Sequence, residues 1–304
     1  MATWEPEDSY RKSWNRQHRG LLIFLLDQSG SMRQPVQIGN RQYTNGEMAT
    51  LALNDLIVSV INNTPIDSQT GRLKDYCDLL VLGYGNQVTP LLDNRQGMPI
   101  SIKDLAENPL GRRPVLVEKY DRVQGKKVQV QEMQPYWINY SADSTKTEMA
   151  KALQRAYRVV QDWLQADLRR RQSFPPIVIN ITDGAHNGEG DPIEAAKSIR
   201  QLYTDDGHVL LFSCHLTSNS TSHLVFPRDA QVISRNVSNA DEREWAVNLF
   251  EMSSEIPATM AKRARESFNA GLPDGARGFI YNANPADLID FLSWGTRPSQ
   301  NFER

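Results

Sequence analysis

Residues 21–32 read LLIFLLDQSGSM: six apolar residues in an unbroken run, then the abrupt polar turn Asp27-Gln28-Ser29-Gly30-Ser31. A short continuous apolar run closed by turn residues reads as a strand buried on both faces, as in the middle of a parallel sheet. The loop after such a strand lies at its carboxyl end, where open α/β sheets bind ligands. Asp27, Ser29 and Ser31 alternate along that loop, so a carboxylate and two hydroxyls can converge on one point. All three are hard oxygen donors, which suit Mg²⁺, Mn²⁺ or Ca²⁺ better than zinc.

A second run, IVINIT at residues 177–182, ends in Asp183-Gly184 and places another carboxylate at the end of another buried strand. Between the two, Thr147 opens a helical pattern, TEMAKAL. Strand-D-x-S-x-S, a helix-opening Thr and strand-T-D-G, in that order, resemble the von Willebrand factor A-type (VWA) domain and its metal-ion-dependent adhesion site, or MIDAS. The resemblance implies Asp27, Ser29, Ser31, Thr147 and Asp183 as the metal set, with Mg²⁺ as the ion and Mn²⁺ or Ca²⁺ as alternatives. It covers about residues 20–92 and 145–295. One departure concerns the threonine. Related bacterial sequences often place a glycine pair before it, whereas Ser144-Thr145-Lys146 stand here. The T-x-M-x-x-A-L spacing favours Thr147, and Thr145 remains the alternative.

Around these motifs the chain alternates strands and helices, the pattern of a doubly wound α/β sheet. Thr44-Asn45-Gly46-Glu47 has capping-box spacing and opens a helix running to about Asn63. Residues 77–84 read as the second strand and 88–92 as an antiparallel edge strand, joined to it by a tight turn. The expected organisation is an N-terminal arm over 1–19, a VWA-type domain over 20–295 with an insertion at about 93–144, and a tail over 296–304. Within the insertion, 115–118 and 127–131 have weak hairpin character around Gln124-Gly125, and Pro135-Tyr136-Trp137-Ile138 forms an aromatic cluster. Met149, Leu153, Ala156, Val160, Leu164 and Leu168 mark one face of a helix from Thr147 to about Arg171. Asp191-Pro192 and Asn284-Pro285 cap two further helices, the last with Leu288, Ile289, Phe291 and Leu292 as its apolar face.

Composition narrows the function. With 34 basic and 36 acidic residues the net charge is −2, which makes no electrostatic case for nucleic acid or an anionic membrane. No apolar run approaches membrane-spanning length, and residues 1–20 do not read as a signal peptide. The two cysteines, Cys77 and Cys214, lie in strand-like runs and read as buried free thiols. These features point to a cytoplasmic protein.

The resemblance implies a binding module, not an enzyme: a MIDAS binds an Asp or Glu offered by another protein. Intracellular VWA proteins resemble adaptors of AAA+ ATPases and the members of stress systems found beside kinases and phosphatases. The rival reading is a metal-dependent hydrolase or phosphatase using Asp27 and Asp183. An aspartyl-nucleophile phosphatase, however, wants a second Asp where Ser29 stands, and no phosphate-cradling loop or nucleophile elbow is present. His186 reads as a rim histidine bonded within its loop rather than as a base. The aromatic cluster reads first as a local mini-core and second as a binding anchor; on the second reading Tyr136 and Trp137 are expected at the surface with Arg112, Arg113, Lys126 and Lys127, and the insertion either adds partner specificity or covers the edge strand.

Overall fold

The computed structural model describes residues 9–38, 40–92, 97–121, 125–141, 144–184, 186–216, 222–268 and 271–296. The first residues of the expected arm, Gln124 of the expected hairpin turn, most of the 218–222 loop and nearly all of the C-terminal tail lie outside them. Strand β1 (Gly20–Asp27) leads through a 3-10 turn (Gly30–Arg33) into a small hairpin, β2 (Pro35–Ile38) and β3 (Arg41–Thr44), and then helix α1 (Asn45–Asn63). Next come β4 (Cys77–Tyr84), β5 (Val88–Pro90), β6 (Ile100–Ser101), α2 (Ile102–Glu107), β7 (Gly111–Asp121) and β8 (Lys126–Tyr136). Helix α3 (Met149–Ala166) and β9 (Ile177–Thr182) precede α4 (Pro192–Gln201), the short pair β10 (Tyr203–Thr204) and β11 (Gly207–His208), and β12 (Leu210–Leu216). The chain closes with β13 (Leu224–Val225), α5 (Ala230–Asn236), α6 (Ala240–Met252), α7 (Ala258–Phe268), β14 (Phe279–Ala283) and α8 (Pro285–Gly295).

The main sheet runs β13-β14-β12-β9-β1-β4-β5, with β1 parallel to both β4 and β9. β5 is the antiparallel edge strand on β4, and the two-residue β13 runs antiparallel on β14 at the opposite margin. From β1 the chain first goes to β4 on one side and later returns to β9 on the other. Strand order therefore reverses between β1 and β9, which opens a crevice at their carboxyl ends. Because side chains alternate across a strand, Leu22, Phe24 and Leu26 join one core with α1 and α8, and Leu21, Ile23 and Leu25 join the other with α3, α4 and α6. Each such side chain contributes about 2 kcal/mol by burial. Together they hold β1 at the centre of the sheet and seat its terminal Asp27 despite the cost of burying a carboxylate.

Local signals read from sequence are realised at several helix starts. Thr44 and Glu47 form a reciprocal capping box, Asp191 caps α4 with Pro192 following it, and Asn284 and Asp287 form a second box. Two expectations are corrected, and a third is decided between two readings. Helix α3 stops at Ala166, and Leu168 sits in a following 3-10 turn at 76% exposure instead of on the core face. Ile289 is 52% exposed, since the core side of α8 is Leu288, Phe291, Leu292 and Trp294. Trp137 follows the mini-core reading of its cluster and not the surface one: it is 4% exposed and its indole donates to the Leu105 carbonyl at 2.7 Å.

The insertion is more ordered than its sequence suggests. β7 and β8 pair over their whole lengths as a two-stranded ribbon, separate from the main sheet. Asn54 of α1 pins its root. The Asn54 carboxamide accepts from the Trp137 and Ile138 amides at 2.7 and 3.1 Å, and donates to the Ile138 and Thr50 carbonyls at 2.9 and 3.0 Å. Trp137 and Ile138 thereby enter the main core. The two thiols are free and buried.

Candidate metal centre

Asp27 ends β1 with no exposed surface. Its Oδ1 accepts the Ser29 amide at 2.8 Å, the usual Asx-turn closure, and its Oδ2 accepts the Thr182 hydroxyl at 2.6 Å from the end of β9. Among the described residues no lysine or arginine pairs with it. Burial pushes its carboxyl up to about 6; the Thr182 and Ser29 hydrogen bonds oppose the rise, and the nearby Asp183 charge adds to it.

Ser29 and Ser31 stand Oγ to Oγ at 2.9 Å, and the Ser31 hydroxyl donates to Asp183 Oδ1 at 2.6 Å. Asp183 Oδ2 accepts the Asn45 carboxamide at 3.4 Å. Burial raises the Asp183 carboxyl above its ordinary range, against the lowering effect of Ser31 and Asn45. Behind it, His215 of β12 hydrogen-bonds the Asp183 backbone and stacks on Tyr281 with ring centroids 4.8 Å apart. Burial drives the His215 imidazole down to about 4, so it is neutral at ordinary pH.

Thr147 is buried and lies two residues before α3, so the helix begins slightly later than its sequence suggests. No hydrogen bond links it directly to the Asp27–Asp183 cluster among the described residues, yet its neighbours place it at the same crevice. Ser144 bridges Ser29 in a parallel β-bridge, and its carbonyl accepts the Gly30 amide at 2.8 Å. The Glu148 amide donates to Gly85 after β4, and the Thr147 amide donates to Asn187 Oδ1 at 2.7 Å after β9. His186 has one ring nitrogen 2.8 Å from the Thr147 carbonyl and the other 3.0 Å from the Gly190 carbonyl, a loop-holding arrangement rather than a free base. Glu148 accepts the Glu189 amide at 3.0 Å and pairs with Lys151, which ties the same loop to α3. Thr145 is exposed and faces Asn86 at 3.5 Å; Lys146 is exposed as well.

The donor chemistry fits a small hard cation. Among the described residues no group of three or more His, Cys, Asp or Glu side chains could hold a metal. A cation here would therefore rest on two carboxylates and the hydroxyls of Ser29, Ser31 and Thr147, all oxygen donors. Two desolvated carboxylates without a cationic side-chain partner among the described residues leave negative charge uncompensated in a low-dielectric crevice, which a divalent ion would relieve. Asn45 adds a second sign: it is 1% exposed, and its Oδ1 is buried without a hydrogen-bond partner beside Asp183. Such an oxygen can accept from a water on a bound ion. Sequence reading missed Asn45, Thr182 and His215, because each reaches the site through the tertiary fold and not through a local motif.

No protein-family model matches the sequence, and no curated protein does. Solved structures similar to it include proximal thread matrix protein 1 from the mussel byssus, at 11% identity and a TM-score of 0.44, covering 92% of this chain and 48% of that one. A von Willebrand factor type A protein from Catenulispora acidiphila aligns at 13% identity and a TM-score of 0.38, covering 82% and 42%. A manganese-loaded TRAP protein of Plasmodium vivax aligns at 16% identity and a TM-score of 0.32, covering 65% and 57%. The chain spans roughly half the length of these proteins. At such scores the assignment of the fold stands on the chain's own topology: a doubly wound, mostly parallel α/β sheet with the D-x-S-x-S turn at its switch point.

Proposed function

We propose that this chain is a metal-dependent protein-recognition module. Asp27, Ser29, Ser31, Thr147 and Asp183 would hold a divalent cation, Mg²⁺ first and Mn²⁺ or Ca²⁺ as alternatives, and the open side of the site would take an Asp or Glu from another protein. The observation that carries this reading is the continuous contact path Ser29–Ser31–Asp183 beside a fully buried Asp27 that has no cationic side-chain partner among the described residues. Bound there, the ion supplies a coordination position for an outside carboxylate. The protein's part is to orient the donors. Thr182 and the Ser29 amide fix both oxygens of Asp27, while Asn45 and His215 fix the Asp183 side chain and backbone.

On this reading the chain is a binding module and not an enzyme. An adaptor role in the cytoplasm, with an AAA+ ATPase, a kinase or a phosphatase as partner, is the setting we favour. Its support is the near-neutral charge, the two free buried thiols, and the absence of a helix among the described residues long and apolar enough to cross a membrane. Calorimetric titration with Mg²⁺ and Mn²⁺ tests the site. Wild type is expected to bind and Asp27→Ala to show no binding while keeping its circular dichroism; equal affinities would remove the metal assignment.

A further inference from the structure

The ribbon of β7 and β8 has two unlike faces. Side chains alternate along each strand, and with Pro114 opposite Met133 the register puts Arg112, Pro114, Leu116, Glu118 and Tyr120 on the same face as Met133. The other face is turned to the body at its root, where Arg113 pairs with Asp55 of α1 at 2.9 Å. The first face is open. Leu116, Tyr120 and Met133 are 67%, 64% and 55% exposed, and Leu110, one residue before β7 in the same alternation, is 51% exposed. Neither hydrophobic core takes in any of these side chains. A two-stranded ribbon standing alone is marginal in water, and a row of exposed apolar groups marks an interaction surface.

The edges of the ribbon are closed to a further strand near its root. Pro114 and Pro135 lack an N–H, so each fits its ladder only with that position pointing off the ribbon. Each outer edge therefore carries a proline, which opposes edge-to-edge pairing. What is left to cover is the face.

That face is its own complement about Val115. Arg112 stands three residues before Val115 and Glu118 three after it; Pro114 and Leu116 flank it by one, and Leu110 and Tyr120 by five. A second ribbon turned end for end about a twofold axis at Val115 lays Arg112 on Glu118, Pro114 on Leu116 and Leu110 on Tyr120, each contact made twice, as an isologous interface requires. Arg112 is exposed and has no carboxylate partner among the described residues; its hydrogen bond there goes to the Met133 carbonyl at 3.5 Å. Glu118, also exposed, pairs with Lys127 on the same face at 2.9 Å and has its second oxygen to offer. We propose that the ribbon is a dimerisation arm: this face packs on the same face of a second copy of the chain, with Arg112 of each copy on Glu118 of the other. The proposal does not draw on the metal reading. Two faces about 40 Å long and 10 Å wide bury roughly 800 Å², below the ~1,200 Å² of a standard interface, so the dimer is reversible and forms with concentration.

Sedimentation equilibrium of the full chain in EDTA, from about 5 to 500 μM, covers the range in which so small an interface associates. Wild type is expected to pass from monomer to dimer across it. Arg112→Glu and Glu118→Arg should each weaken the dimer by about fivefold or more, and the double variant should return to within about twofold of wild type. Within one ribbon the two side chains stand about 20 Å apart, so recovery comes only through a second copy. Leu116→Glu, at an exposed position, should abolish the dimer and leave the circular dichroism unchanged. A wild-type chain that stays monomeric throughout overturns the dimer, as does a dimer that Leu116→Glu leaves intact. Single charge variants as tight as wild type, or a double variant weaker than both, overturn the pairing of Arg112 with Glu118.

Discussion

Thr182 and Asp27, at the carboxyl ends of neighbouring parallel strands, are joined by a 2.6 Å hydrogen bond in which the threonine hydroxyl donates to a carboxylate with no solvent exposure. With the Ser29 amide on the other oxygen, this bond fixes the orientation of the Asp27 carboxylate. Thr182→Val keeps the shape and removes the donor. Partners of metal-binding side chains typically matter by 10–100-fold in affinity, so Mg²⁺ affinity by calorimetry should fall by about that factor with the fold retained. An unchanged affinity would show that Thr182 does not orient Asp27.

The two threonines at the start of α3 should behave differently. Thr147 is buried and held by Asn187 and His186, while Thr145 is exposed and faces Asn86. Thr147→Ala is expected to weaken Mg²⁺ binding strongly and Thr145→Ala by less than about twofold, the scatter of near-neutral surface changes. A larger effect at Thr145 in the same titration would reassign the ligand.

Asp27 and His215 impose opposite pH dependences on the metal-free protein. The Asp27 carboxyl is raised from 3.8 to about 6 in the folded state, so the stability it contributes below about pH 4 is lost as pH rises to 6. The His215 imidazole is lowered from 6.5 to about 4, so its contribution is present above pH 6.5 and lost as pH falls to 4. Each amounts to about 3 kcal/mol, and in wild type they largely cancel. Urea unfolding in EDTA from pH 4 to 7 should separate them. Relative to wild type, His215→Phe should lose stability as pH rises, and Asp27→Asn should gain it. Parallel curves for all three proteins would contradict the opposing linkage.

The ribbon and its root should separate in truncation. Replacing residues 114–133 with a short Gly/Ser turn keeps Asn54, Trp137 and Ile138 in place, so the protein should stay folded and bind Mg²⁺ as before. Removing 95–140 also takes the buried Trp137, whose loss alone costs about 3–5 kcal/mol, and should unfold or aggregate the chain. Asn54→Ala, which breaks four buried hydrogen bonds to the main chain, should destabilise by about 3 kcal/mol in urea unfolding. A loss under 1 kcal/mol would mean that packing alone holds the insertion.

Much of the architecture was legible in the linear chain because it is written in local terms. The apolar runs of β1 and β9 read as strands buried on both faces, and their abrupt ends at Asp27 and Asp183 put those carboxylates at the carboxyl ends of the strands whatever the strand order. Thr44, Asp191 and Asn284 announce helix starts through contacts within four residues. What only the tertiary structure decided concerns neighbours. Hydrophobic periodicity records which side of an element is apolar, not what covers it, so Trp137 becomes core and Leu168 and Ile289 become surface. The third-dimension partners of the site, Asn45, Thr182 and His215, come from elements that meet only because strand order reverses between β1 and β9. Asn45 and Thr182 act on the carboxylates, and His215 on the Asp183 backbone, through hydrogen bonds spanning more than thirty residues of sequence, a separation across which no local pattern carries information.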